Sequence, residues 1–269
     1  MSKRRIRKRL AFVAIILVLA LVMVFSGLQI LESTVFYEDA TEPVYPTKTI
    51  TSEGVSYFPR QDITTVLVMG IDEEGPVVSS GSHRNYGEVD MIALIILDHT
   101  AEEYRVVSIN RDTMLDMPML GLGGKRAGNF YGQLALSHTY GSGLEDSAEN
   151  TITAVSDLLY GLQMDYYVTL NMDAIGMLND AVGGVTVEVT EDFSQVDPTI
   201  TKGTVTLNRS QAIHYVRSRK DVGAQLNVTR MERQEGYIRG LMEALLEKVN
   251  SSSRFALDLY EDMAEYTVT

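Results

Sequence analysis

The sequence predicts an α/β domain with a mixed central sheet flanked by helices, preceded by one N-terminal transmembrane helix. Three observations lead there. Continuously apolar or β-branched runs of strand length, ITTVLVMGI (63–71), MIALIIL (91–97) and YRVVSI (104–109), suit strands covered on both faces. Segments with apolar residues at helical spacing are interleaved with such runs. A charge-free stretch from Leu10 to Leu31 follows a strongly basic tail.

Lys3, Arg4, Arg5, Arg7, Lys8 and Arg9 stand directly before AFVAIILVLALVMVFSGLQIL, close to the roughly 20 apolar residues that cross a bilayer. By the positive-inside rule the tail, 1–9, stays in the cytosol and the chain beyond the anchor, 10–31, lies outside the cell. A cleaved signal peptide fits less well, because its apolar region runs to about 7–15 residues and ends in small side chains. Residues 32–62 hold three of the six prolines with no sustained period and read as an extracellular stalk. The folded domain is expected over 63–250. Residues 251–269 read as a helical extension that stops without a terminator.

Within the domain, SAENTITAVSDLLYGL (147–162) spaces Ile152, Val155, Leu158 and Leu159 as a helix that Gly161 can close. YYVTLNM (166–172) returns to strand, and DAIGMLNDAV (173–182) to helix with Asp173 as its N-cap. VTVEVT (185–190) alternates as a half-exposed strand after Gly183-Gly184, and the last helix runs from about Val228 to Val249.

Composition limits the chemistry. There is no cysteine, which removes disulfides, thiol nucleophiles and thiolate metal sites, and with only four histidines any metal is expected on oxygen ligands. A formal net charge of -13 disfavours nucleic acid as a partner. Yet IHYVRSRKDVGAQLNVTRMERQ (213–234) concentrates Arg217, Arg219, Lys220, Arg230 and Arg233 against only Asp221 and Glu232. Arginine offers a planar fork that grips carboxylate or phosphate with paired hydrogen bonds, so an anionic ligand is expected. Arg230, Arg233 and Gln234 fall on one helical face, Arg217 and Arg219 point together if extended, and the four arginines can converge on one pyrophosphate. For any single arginine a solvated charge face is the alternative.

Arg111 follows a strand end in SINRDTM, where open α/β sheets place ligand-binding groups. Asp72 lies just past a strand and Asp90 just before one. If those strands are antiparallel neighbours, both carboxylates reach one sheet edge, where magnesium takes one or two protein carboxylates beside phosphate oxygens. Turn and capping roles are the alternative for both. Asp112 and His138 are candidate bases, against an orienting role for Asp112 and a packed one for His138. Leu158, Leu159, Ile175, Met177 and Leu178 can wall an apolar tunnel, or simply pack.

The ordered set GID, VD, SINRDTM, LNDAVGGVTVEV, LNRSQAIHYVRSRKD and RMERQ, spread over about 63–249, resembles the LytR-CpsA-Psr family of bacterial cell-wall proteins. The resemblance implies a phosphotransferase that moves an anionic or capsular glycopolymer, teichoic acid among them, from a polyprenyl-pyrophosphate carrier to peptidoglycan through a phosphodiester, with Mg2+. It maps metal ligation onto Asp72 and Asp90, and catalysis onto Arg111, Arg217 and Arg219, with Asp112 beside Arg111 as the further catalytic candidate from its place in the chain. Pyrophosphate binding falls on Arg84, Arg111, Arg217, Arg219, Arg230, Arg233 and Gln234. The chain departs from the pattern in three places: Glu88 stands where many members have arginine, Gln133 where many have lysine, and Asn227 where aspartate is common. Arg84 is expected to reach in from the loop in place of the first. A non-catalytic, anchored binding or regulatory protein is the alternative.

Overall fold

The structure, a computed structural model, describes residues 50–57, 60, 62–218, 222, 226–252 and 254–269. The basic tail, the apolar run 10–31, most of the stalk and Arg219 lie outside the described residues. Among the described residues no helix is long and apolar enough to cross a membrane.

In chain order the elements are β1 (Ile50–Ser52), β2 (Val55–Tyr57), β3 (Ile63–Ile71), β4 (Val89–Asp98), β5 (Glu103–Ile109), β6 (Met114–Leu120) and β7 (Arg126–Gln133), then helix α1 (Glu145–Leu158). Strand β8 (Tyr166–Leu170), helix α2 (Met172–Val182), strands β9 (Val185–Val189) and β10 (Gly203–Leu207), and helices α3 (Arg209–Arg217), α4 (Leu226–Ser251) and α5 (Phe255–Met263) follow. A last strand, β11 (Thr267–Val268), ends the chain. The central sheet has five strands in the order β11-β8-β3-β4-β5. β3 runs parallel to β8 and antiparallel to β4, so the sheet is mixed, as its interleaved helices predict.

Because side chains alternate across a strand, β3 and β4 feed two different layers. Leu67, Met69, Ile92 and Leu94 join Ala154 and Val155 of α1, with Met117 and Leu134, in a tightly filled core. Val66, Ile95 and Leu97 face the other way, toward Met242 and Leu246 of α4. At the end of the β3–β4 ladder Gly70 pairs with Met91 while Ile71 pairs with Val89, so Asp90 is the extra residue of a β-bulge. At the opposite end Arg60 donates through Nη1 and Nη2 to Asp98 (2.7 and 3.0 Å) and through Nε to Asp62 (2.8 Å), tying the chain that enters β3 to the exit of β4.

Several expectations change. The N-cap of α2 is Asn171, whose side chain accepts from Ala174 N at 2.9 Å; Asp173 lies inside the first turn and accepts from Gly75 N at 2.7 Å. Arg217 is the last residue of a helix, not part of an extended run. Asn208 and Gln211 form a reciprocal capping box that starts that helix, an offset the arginine-rich composition hides. Residues 251–269 supply α5 and the edge strand β11, which pairs antiparallel with β8. The β6–β7 hairpin and β10 carried no sequence expectation.

Candidate functional site

The bulge delivers Asp90 to a crowded electrostatic position. Its two carboxylate oxygens meet Nη1 of Arg111 and, at 3.1 Å, Nη1 of Arg230. Arg111 leaves the end of β5, and its carbonyl accepts from Ala135 N at 2.9 Å, which fixes the backbone beside the hairpin. The same guanidinium reaches Glu88 and Asp112, each at 3.4 Å. Arg230 rises from the first turns of α4 with only 1% of its side chain exposed. Two guanidiniums held on one carboxylate where little solvent screens them offer forked donors to an anion, which makes this cluster a candidate phosphate site.

Beside it, Arg217 at the end of α3 pairs with Oδ1 of Asp72 (2.9 Å) and with Glu74 (3.3 Å). Asp72 N donates to Glu88 O at 3.2 Å, so Asp72 and the bulge share one sheet edge, as the opposed directions of β3 and β4 require. The loop after Asp72 is held from below: Gly75 N donates to Asp173, and Met172 N to Glu73 O at 3.0 Å.

A cavity of about 260 Å³ opens behind this edge, lined on the sheet side by residues such as Val68, Gly70 and Met91 and on the helix side by Ile175, Leu241 and Leu259. Asp90, Arg217, Arg230 and Gln234 are also on its wall. These four cluster where β4 begins and α4 starts, whereas Ile95 and Leu245 line it further along. A helix climbs 1.5 Å per residue, so the lining face of α4 from Arg230 to Leu245 extends about 22 Å from charged to apolar.

The sequence-predicted groups divide. Asp72, Asp90, Arg111, Arg217, Arg230 and Gln234 come together at the cavity mouth. Arg233 does not. It is 3% exposed, donates through Nε to Tyr215 O at 3.0 Å and through Nη2 to Ser218 O, pairs with Glu191 at 3.3 Å and lies over the Phe193 ring. Its donors close the C-terminal end of α3, where orphan carbonyls need them. Gln234 does some of both, donating to Val216 O at 3.1 Å while lining the cavity. Arg84 is exposed and stacks on Tyr140, 4.0 Å from the ring centroid, instead of reaching Asp90. Asp112 is part-exposed beside Arg111, and Gln133 donates to its Oδ1 at 3.4 Å. His138 is buried with Nδ1 against Gly87 O (3.0 Å), and burial holds its pKa below the ordinary value. Its enclosure removes it from contact with a substrate hydroxyl.

Of the expected tunnel residues, Ile175 and Leu178 line the cavity. Leu158 and Leu159 pack on the opposite face of the sheet, and Met177 packs against Ala174 and Met263. The missing wall comes from α4 and α5, whose apolar spacing, Tyr237, Leu241 and Leu245, then Leu259 and Met263, was the available signal. Glu74, the second partner of Arg217, was not anticipated either.

Comparison with known proteins bears on this arrangement. The polyisoprenyl-teichoic acid–peptidoglycan teichoic acid transferase TagU of Bacillus subtilis (strain 168) is 28% identical over 183 residues, covering 68% of this chain and 52% of that one. The TagU of Oceanobacillus iheyensis is 25% identical over 187 residues, 69% of this chain and 52% of that one. The chain therefore spans about half the length of the curated relatives it matches. Among solved structures, the Lin1025 protein of Listeria innocua superposes with a TM-score of 0.55 at 28% identity, over 77% of this chain and 71% of that one. TagT bound to LI-WTA superposes at 0.53 with 26% identity, over 68% and 64%. Residues 27–269 match the LytR_cpsA_psr family, and the chain belongs to it.

Proposed function

We propose that the chain is a membrane-anchored phosphotransferase, its catalytic domain outside the cell, that moves a phosphate-linked glycopolymer from a polyprenyl-pyrophosphate carrier to a peptidoglycan hydroxyl. The observation that carries this reading is the cavity: apolar along the sheet and helices, with Asp90, Arg217, Arg230 and Gln234 where it meets the strand edge. A ligand that matches it has a long apolar tail and an anionic head. The names of the TagU relatives, teichoic acid transferases, and of the TagT complex support the same class of substrate. Teichoic acid is accordingly the first donor polymer to try, with capsular polymers second.

The acceptor oxygen would bond to the phosphorus that carries the polymer, the bond from that phosphorus to the oxygen bridging toward the carrier would break, and polyprenyl phosphate would leave. Arg111, Arg217 and Arg230 would neutralise the charge that builds on the departing phosphate, which is where most catalysis of phosphoryl transfer originates. Arg219, beyond the described residues, is a further candidate for that role. Asp112, beside Arg111 and open to solvent, is the group we assign to receive the hydroxyl proton.

Asp72 and Asp90 suit magnesium that arrives with its phosphate ligand. Among the described residues no three carboxylates or imidazoles gather as a metal site, so Asp72 and Asp90 would hold such an ion only together with substrate oxygens and water. Bound there, the ion would offset pyrophosphate charge. Asp90 would have to loosen one arginine to serve as ligand, and the incoming phosphate is what would take that arginine up.

The test mixes the full chain with a short-chain prenyl-pyrophosphate glycan and a peptidoglycan oligomer, with and without magnesium, and reads products by mass spectrometry. A phosphodiester-linked product, reduced about 10²–10³-fold in Arg111→Ala, is the expected result. Donor that binds but is never turned over, with any glycan or cation, would instead favour an anchored binding protein.

A further inference from the structure

We infer that the outward face of the β6–β7 hairpin is a docking ledge for the acceptor, a neutral saccharide that stacks on Tyr131 and is led by Gln133 and Asp112 to Arg111. The inference rests on the transferase reading above and adds where the second substrate sits. Register sets the two faces of the hairpin: Met114 pairs with Gln133, Leu115 with Gly132, Asp116 with Tyr131 and Met117 with Phe130. Leu115, Met117 and Phe130 turn inward to the core under the central sheet, so alternation turns Met114, Asp116, Tyr131 and Gln133 outward. Tyr131 is 70% exposed and Met114 48%. Among the described residues, packing gives no reason for the exposure of these two side chains.

The chemistry around Tyr131 matches a sugar. An aromatic ring accepts the apolar C–H face of a pyranose while neighbouring carboxylates and amides bind its hydroxyls. Asp116 is braced to meet such a hydroxyl, since its Oδ2 accepts from Asn129 Nδ2 at 2.6 Å, and Asn129 Oδ1 accepts in turn from Arg126 Nε at 3.1 Å. From Tyr131 to Gln133 the strand advances about 7 Å, near the length of one hexose. Gln133 Nε2 then donates to Asp112 Oδ1 at 3.4 Å, and Arg111 Nε to the same oxygen at 3.4 Å. The ledge thus runs without a break into the cluster assigned to phosphate. Charge decides which substrate it takes. Asp112 and Asp116 face this strip; of the cations beside them, Arg126 is turned onto Asn129 and Arg111 is engaged by Asp90 and Glu88. A polyanionic donor polymer would be repelled where an uncharged amino sugar would not.

The experiment titrates the full chain, in detergent micelles, with an N-acetylglucosamine tetrasaccharide and, separately, with a glycerol phosphate hexamer, by calorimetry. Tyr131→Ala should weaken the tetrasaccharide about tenfold while Tyr131→Phe stays within about threefold, with thermal midpoints unchanged in both. Tyr160→Ala, an exposed tyrosine at the far end of α1, is the control and should change nothing. Tetrasaccharide affinity indifferent to Tyr131→Ala, no detectable tetrasaccharide binding, or tighter binding of the hexamer through Tyr131 would overturn the ledge. The two readings separate cleanly. Sugar binding that maps to Tyr131 without transfer would retain the ledge and remove the transferase. Transfer whose acceptor KM ignores Tyr131→Ala would do the reverse.

Discussion

The two faces of the central sheet are cut from the same strands, yet one is solid and the other hollow. On the solid side β3 and β4 present Leu67, Met69, Ile92 and Leu94, all within a few per cent of full burial. On the hollow side they present Val66, Val68 and Gly70, with Met91 and Ile95, along the cavity wall. Gly70 matters there, since a Cβ at that position would stand 3.1 Å from the Met91 Cβ and press into the space beneath the bulge. Side-chain size alternating along a strand thus gives a sheet that is a scaffold on one surface and a receptor on the other. Close packing is the default for protein interiors, so a cavity lined by so many apolar groups points to a ligand that fills it.

The contrast is most exposed to failure at Asp90, where the hollow side carries its charge. Asp90→Ala leaves Arg111 and Arg230 without their shared carboxylate and should cost about 3–5 kcal/mol, read from denaturant midpoints. A loss below about 1 kcal/mol would mean that solvent already screens the pair. Next comes the packing difference itself. Leu94→Ala should lose about 2–5 kcal/mol because it opens a new void, and Val68→Ala about 1 kcal/mol because it only enlarges an old one. Equal losses would erase the distinction between the faces.

A geranyl pyrophosphate titration asks what the hollow face is for. At a ligand concentration about 100 times Kd the chain should gain roughly 2.7 kcal/mol, seen as a higher thermal midpoint, and Val68→Phe should abolish the gain by occupying the cavity. The smallest effect belongs to His138, on the solid side. Burial lowers its folded pKa, so as pH falls the unfolded chain protonates first. The stability it allows is complete above about pH 6.5 and declines below that, by at most about 1.4 kcal/mol per pH unit, toward the lowered folded value. His138→Asn should flatten that slope in a series of melts between pH 7 and 5.

What the sequence disclosed follows the same division. Strands with continuous apolar or β-branched runs were legible, and β3 was placed at its observed limits, Ile63–Ile71, because burial on both faces leaves no charged residue in it. The β6–β7 hairpin was not, since its outward face carries Met114 and Tyr131 and its inward face contains glycine, which blurs the period of two. Helix α3 was hidden because only Ala212, Tyr215 and Val216 give it an apolar side. At the site, spacing placed Arg230, Arg233 and Gln234 on one helical face, which is correct but too coarse. At about 100° per residue, Arg230 and Gln234 are about 40° apart and Arg233 is about 60° to the other side of Arg230. That rotation turns one pair to the cavity and Arg233 to the end of α3. Nothing local encodes the bulge at Asp90, which exists only in the register between two strands.

The Arg60 clamp has a mechanical meaning. β3 is hydrogen-bonded along both edges, to β4 and to β8, and the chain leads into it past Arg60 and Asp62. A pull on the segment ahead of Ile63 would act along the strand axis, loading both ladders in shear, so that many bonds must yield together instead of one after another. Arg60, gripping Asp98 with two hydrogen bonds, would take the first of that load and pass it to the end of β4. The cluster of Asp90, Arg111 and Arg230 sits at the other end of the same strands, the whole length of the sheet away from the point of tension.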